Sequence, residues 1–175
     1  MRKVLMLCSS TDGHTLRICE RLRDIVQRSG ARVTLTSIEL AEQQPLAGFQ
    51  MLVLGARIRY GRTHARVFDY VRRHEGALNA MPSAFFSVNL VARKAGADRP
   101  ETNPYVRRFL GSVGWRPPLV DVFAGKLDYP RYGFVDRTVI RFIMLLTGGP
   151  TDPKTIVEFT DWEQVDAFGG VIARM

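Results

Sequence analysis

Cysteine is nearly absent. Cys8 and Cys19 are too few for a disulfide framework and fit no CxxC metal or redox motif, so a reduced, cytoplasmic chain is expected. Long apolar runs are also missing. Nothing approaches the roughly 18 residues of a membrane-spanning helix, and the run Val4–Cys8 behind Arg2 and Lys3 is too short for a signal peptide. No Gly/Ser linker, internal repeat or low-complexity tract divides the 175 residues, which suits one domain, 1–175. There is no GxxxxGK[ST] loop, and no two glycines stand two residues apart, which excludes a Walker A loop and a dinucleotide fingerprint. No HExxH or comparable pattern implies a metal. Lysine is scarce as well. Lys+Arg reach 25 against 17 Asp+Glu, yet the lysines are only Lys3, Lys94, Lys126 and Lys154, so arginine carries the net charge of +8. Such a bias reflects either composition or an anionic partner, namely a lipid surface or a carboxylate-bearing substrate. No finger, RNP or basic-zipper pattern accompanies it, so nucleic acid is not expected.

What is present is alternation. Val4–Cys8, Val33–Thr36, Met51–Gly55, Ala84–Val88 and Leu119–Phe123 are short, mostly continuous apolar runs, the pattern of strands buried on both faces. Between them, apolar residues recur at helical spacing: Ile18, Cys19, Leu22, Ile25 and Val26; then Val67, Tyr70, Val71, His74 and Leu78; then Val106, Phe109, Leu110 and Val113. Gly30 stops the first helix, Asn103-Pro104 opens the third, and Thr160-Asp161-Trp162-Glu163 reads as a capping box before a last helix with Val165, Phe168 and Ile172 inward. The fold predicted is α/β, a doubly wound five-stranded parallel sheet with helices on both faces. Ligands in such sheets sit outside the carboxyl ends of the strands, where strand order reverses.

The loop after the first strand, Ser9-Ser10-Thr11-Asp12-Gly13-His14-Thr15, runs directly into a helix. Hydroxyls, a glycine and unpaired amides at the positive end of a helix dipole suit a phosphate. They equally suit a plain capped turn.

Ser10-x-Asp12-Gly13-x-Thr15 resembles the phosphate loop of flavodoxins, Thr-x-Thr-Gly-x-Thr. The resemblance implies that Ser10, Thr11, Asp12, Gly13, His14 and Thr15 cradle the phosphate of FMN. Asp12 stands where flavodoxins have a hydroxyl, and its carboxylate is expected to turn away or cap the helix. Gly55-Ala56-Arg57-Ile58-Arg59-Tyr60-Gly61, the stretch Met81–Lys94, Trp115-Arg116-Pro117, Tyr129-Pro130-Arg131-Tyr132 and Thr160–Gln164 are similar to the flavodoxin-like protoporphyrinogen oxidases of bacterial haem synthesis. That resemblance covers nearly the whole chain. It implies an FMN enzyme that oxidises protoporphyrinogen IX and passes electrons to a membrane quinone, menaquinone or ubiquinone. Aromatisation removes six electrons, so the flavin cycles three times, with hydride passing from a porphyrinogen carbon to flavin N5.

Ile58, Arg59 and Tyr60 are then expected at the flavin, with Tyr60 either stacking on the ring or packing on its own strand. Ser87, Val88, Asn89 and Leu90 are expected at the flavin edge, and Arg57, Arg62, Arg93 and Lys94 at the substrate propionates. No dedicated catalytic acid or base is expected, because the cofactor carries the chemistry. A flavodoxin-type electron shuttle and a non-enzymatic flavodoxin-like module are the alternatives. Shuttles are usually acidic, which the +8 charge counts against.

A long insertion, at about 126–154, precedes the last helix. Val139–Leu146 within it is apolar except for Arg141, which with Arg137 makes an i,i+4 basic edge. Such a helix is either a buried packing element, a lid, or an element lying in a lipid interface. The last reading implies an enzyme attached peripherally to the anionic inner face of the cell membrane. Ile156–Phe159 reads as a resumed strand.

Overall fold

A computed structural model describes all 175 residues. The first strand, β1 (Lys3–Ser9), leads through a short loop into α1 (His14–Arg28) and returns in β2 (Arg32–Ser37). Next come β3 (Met51–Arg59), a two-residue strand β4 (Arg62–Thr63), α2 (Ala65–Asn79), β5 (Ser83–Asn89), α3 (Pro104–Ser112) and β6 (Leu119–Ala124). The chain then enters β7 (Lys126–Asp128), α4 (Phe134–Leu146) and β8 (Ile156–Glu158), and closes with α5 (Trp162–Arg174).

The main sheet runs β2-β1-β3-β5-β6, all parallel, and β4 adds antiparallel to β3. Five parallel strands therefore match the sequence reading, and the short β4 is an addition to it. Each central strand is buried on both faces. Leu5, Leu7, Leu52, Leu54 and Phe85 face α2 and α3, while Val4, Met6, Val53, Phe86 and Phe123 face α1 and α5. Successive residues of a strand point to opposite faces, so a strand covered by helices on both sides must be apolar throughout. Gly55 is required by packing: it pairs with Phe86 across β3 and β5, and a Cβ there would collide with the Phe86 ring.

Two local readings are corrected. Asp161, not Thr160, caps α5, accepting from the N–H groups of Glu163 (2.9 Å) and Gln164 (3.2 Å). The Thr160 hydroxyl donates instead to the Ala124 carbonyl at 2.6 Å, stitching the start of α5 to the end of β6. Ile156–Glu158 forms a strand, but it does not resume the main sheet. It pairs antiparallel with β7, because the chain leaves the sheet at Gly125, whose carbonyl takes the Phe159 N–H at 3.0 Å. Leu127, Tyr129 and Met144 form a small core of their own, with Leu90, Tyr132, Ile140, Val157 and Phe159 packed against it.

Candidate functional site

Strand order reverses between β1 and β3, so their carboxyl ends open a crevice. Four loops meet there: Ser10–Gly13 after β1, Tyr60–Gly61 after β3, Leu90–Arg93 after β5, and the insertion after β6. A cleft of ≈ 450 Å³ runs from Thr11, Gly13 and His14 to Arg131, Asp136 and Ile140 of the insertion. Two smaller recesses, ≈ 40 and ≈ 60 Å³, continue from it. The first lies between Thr15, Ile58, Asn89 and Tyr132, the second between Tyr60, Leu90, Tyr105 and Ile143.

The first loop is built by its own side chains. Ser10 Oγ accepts from Gly13 N–H (3.1 Å) and Asp12 Oδ1 from His14 N–H (3.2 Å), while Gly13 takes the left-handed φ of 87° that starts α1. Gly13 is the N-cap residue and has no side chain to offer, so Asp12, one residue earlier, takes the first helical amide, and it also lies 3.7 Å from Arg57. Thr15 is fully buried and its Oγ1 has no partner. An unmade hydrogen bond of this kind costs about 1–3 kcal/mol, so the hydroxyl is a donor held for something absent from the chain itself. His14, also buried, bonds Thr160 Oγ1 through Nε2 at 2.6 Å. Since the Thr160 proton goes to Ala124, Nε2 must carry the imidazole hydrogen, and the partnerless Nδ1 is then the lone-pair nitrogen of a neutral ring. Burial pushes the His14 pKa down, with Glu158 and Asp12 pulling the other way.

The second loop is a two-residue hairpin turn between the paired Arg59 and Arg62. Both turn residues have positive φ, Tyr60 at 50° and Gly61 at 72°. Glycine takes this conformation freely; tyrosine pays about 1–2 kcal/mol. The Tyr60 hydroxyl donates to Asp136 of α4, and Arg59 pairs with the same carboxylate at 2.8 Å while lying over the Tyr60 ring (5.1 Å to its centroid).

The third loop is cross-linked by buried side-chain amides. Asn89 Oδ1 accepts from Ala92 N–H (2.9 Å) and Asn103 Nδ2 (3.2 Å), and its own amide reaches Ser87 Oγ (3.3 Å). The Asn89 side chain is therefore spent inside the fold. Val88, Asn89 and Leu90 line the recesses, whereas Ser87 is buried behind them.

The cations expected at a substrate are not gathered in one place. Arg57 and Arg59 line the large cleft. Arg62 sits outside it, in a ≈ 250 Å³ pocket with Phe68, Tyr105 and Arg108, because the hairpin turns it to the α3 side. Arg93 is consumed as a clamp: it donates to the carbonyls of Leu90 (2.7 Å) and Thr147 (3.1 Å) and to Thr147 Oγ1 (3.0 Å). Lys94 is exposed and lines none of these clefts. In their stead the cleft contains Arg17, Lys126 and Arg131, three cations not expected there, alongside Asp128, Tyr132, Asp136 and Ile140. For Lys126 and Arg131 the one available signal was the length of the insertion; that Arg17 of α1 also reaches the cleft is a tertiary fact.

The α4 helix itself is apolar yet poorly covered. Only Met144 is fully buried, while Phe134 (83% exposed), Phe142 (60%) and Leu145 (67%) face outward with Val135 and Leu146. No helix is long and apolar enough to cross a membrane.

Comparison with known proteins converges on one family. A flavodoxin-domain family model matches residues 5–154. Protoporphyrinogen IX dehydrogenase [quinone] of Leishmania major is 45% identical over 174 residues, covering 99% of this chain and 75% of that one. The protein of the same name from Escherichia coli K12 is 42% identical over 173 residues, covering 99% and 96%. Among solved structures, a flavodoxin from the domain Archaea superposes with a TM-score of 0.55 at 14% identity, covering 99% of this chain and 97% of its own. Two-electron-reduced flavodoxin from Megasphaera elsdenii gives 0.56 at 12%, covering 98% and 99%.

Proposed function

The chain belongs to the flavodoxin-domain family of quinone-dependent protoporphyrinogen IX dehydrogenases, and on that premise we propose that it binds FMN, oxidises protoporphyrinogen IX and delivers the electrons to a quinone in the membrane. The observation that carries the cofactor assignment is the buried, partnerless Thr15 hydroxyl at the start of α1. It fits a phosphate: a donor already desolvated, at the positive end of a helix whose first turn holds no acidic residue. Ser10 and Asp12 now accept from the Gly13 and His14 amides that a phosphate would also use. Bound FMN would supply the two-electron acceptor. Tyr60, Ile58, Leu90 and Tyr132 would flank its ring, and the Val88–Leu90 backbone its edge. Arg57, Arg59 and Lys126 are each paired with a carboxylate of the cleft, Asp12, Asp136 and Asp128, so Arg131, which makes no ion pair, is the cation free to attract and orient a substrate bearing two propionates. No residue is assigned as a dedicated acid or base.

The exposed face of α4 supports attachment to the inner face of the cell membrane, menaquinone or ubiquinone being lipid-soluble acceptors. Phe134, Phe142, Leu145 and Leu146 would enter the interface, with Arg141 of the same helix near the anionic headgroups. A shuttle serving a protein partner fits less well, because the +8 charge is opposite to the acidic surfaces such carriers present.

Purified protein should be yellow and form fluorescent porphyrin only when quinone is supplied. Replacing Ser10 and Thr15 together by alanine should weaken FMN by about 1 kcal/mol or more per lost bond, more where the acceptor is charged. Unchanged FMN affinity in the double variant would remove this loop from the cofactor site.

A further inference from the structure

Helix α4 has two opposed faces. Phe134, Phe142 and Leu145 look outward, whereas Asp136, Ile140 and Ile143 line the cleft and its recess. The inner face is tied at both ends to loops of the main sheet. At its start, Asp136 accepts from the Tyr60 hydroxyl and pairs with Arg59, both from the hairpin after β3. At its end, Thr147 is held by Arg93 from the loop after β5. These are the two loops between which the proposed flavin ring lies.

We propose that Asp136 is the positioning residue for Tyr60: from the lipid-facing helix it fixes the tyrosine ring against the flavin, so that α4 and the flavin loop move as one unit. This rests on the FMN reading above. Tyr60 holds a left-handed backbone that its side chain disfavours, and such a conformation persists only where surrounding contacts over-determine it. The contacts made by the Tyr60 side chain converge on one carboxylate. Asp136 takes the phenol hydrogen and fixes the Arg59 guanidinium, which in turn covers one face of the Tyr60 ring and leaves the other for a ligand. The phenol makes no other hydrogen bond. The Arg59–Arg62 pairing closes the hairpin and Arg108 holds the Gly61 carbonyl at 3.3 Å, so what Asp136 adds is the tie to the Tyr60 side chain itself.

The test uses the full chain with and without FMN. In FMN-free protein, Asp136→Ala should speed amide exchange at residues 59–61 at least tenfold, with exchange in β1 and β5 unchanged. With FMN bound, its flavin should fluoresce several-fold more brightly than in wild type, towards the level of Tyr60→Leu, because a stacked phenol quenches the ring. Asp136→Glu should restore both readouts, and vesicle binding should survive in all variants, since Asp136 lies opposite Phe142 and Leu145. Should the alanine variant fold poorly, Asp136→Asn, which keeps the size and loses the charge, decides on the same readouts. Wild-type exchange and fluorescence in folded Asp136→Ala, or in Asp136→Asn where that variant stands in for it, would overturn the proposal, and so would a Tyr60→Leu protein as dim as wild type. A wild-type chain that takes up no FMN would instead defeat the cofactor reading, and the exchange measurement would still decide the latch.

Discussion

The doubly wound sheet and the insertion use the same apolar residue types to opposite ends. In β1, β3 and β5 nearly every apolar side chain is buried, and Phe168 packs edge to face on Phe86 (6.0 Å) and Phe123 (5.6 Å), which meet each other at a tilt (5.4 Å). In α4 only Met144 is, and the outer face leaves large apolar side chains in contact with solvent. A fold stabilised by burial has no use for that exposure, so the two regions answer to different requirements. The sheet is shaped by its own stability; the exposed apolar face of α4 is the surface that the proposed docking on a membrane would use.

Substitution should separate the two most sharply. Phe123→Ala removes a ring from the centre of the α1/α5 side and should cost about 3–5 kcal/mol. Phe142→Glu with Leu145→Glu should change stability by no more than about 0.5 kcal/mol per site, as expected of exposed positions, while abolishing sedimentation with anionic vesicles. High salt should weaken wild-type vesicle binding only in part, because the apolar contribution is not screened. Thermal melts beside vesicle co-sedimentation give both halves. If the glutamate variants lose several kcal/mol, α4 is core and the contrast collapses; if they stay folded and still bind vesicles, this face is not the docking surface.

The same contrast governs what could be read from sequence. The strands were legible because burial on both faces writes itself as a continuous apolar run, and Asn103-Pro104 opened α3 where its capping chemistry placed it. The loop Ser10–Thr15 was legible because its hydroxyls and glycine are local to a strand–helix junction. Asp136, Lys126, Arg131 and Tyr132 were not, since nothing in their own neighbourhood says that α4 folds back over the hairpin at Tyr60. Thr160 misled for a related reason. Its place in a capping box is a local pattern, and the partners that claimed its hydroxyl, Ala124 and His14, are distant in sequence. Arg93 has the charge of a substrate ligand and the position of a structural clamp; only the tertiary contact to Thr147 distinguishes the two.

Within the better-read region, Asp12 is the exception to consistency. A carboxylate beside a phosphate repels it, and here it also occupies the His14 amide. Arg57 at 3.7 Å offsets the charge only in part. Asp12→Thr restores a hydroxyl at this place in the loop, and should tighten FMN by roughly 1 kcal/mol, the scale of one hydrogen bond freed for a charged acceptor. Fluorescence titration would show this as an affinity about fivefold higher. A weaker complex would mean that the Asp12–Arg57 pair supports the loop more than it opposes the anion.

The smallest effect is expected at the seam where sheet and insertion meet. His14 belongs to α1, yet its partner Thr160 and its neighbour Glu158 belong to the chain returning from the insertion. Burial holds its pKa below the ordinary 6.5, a shift that Arg17 and Lys126 assist and that Glu158 and Asp12 oppose. A base with a depressed folded pKa binds fewer protons folded than unfolded, so stability rises with pH across that interval. The contribution of a neutral His14 is complete above 6.5 and is lost as pH falls below it towards the folded value. His14→Gln keeps a donor for Thr160 and removes the titration. In FMN-free protein, the melting temperature of wild type should therefore fall more steeply than that of His14→Gln on going from about pH 7 to about pH 5. Parallel curves would mean that the imidazole reaches water readily enough to titrate as it does in the unfolded chain, and that the seam is looser than the 2.6 Å bond to Thr160 implies.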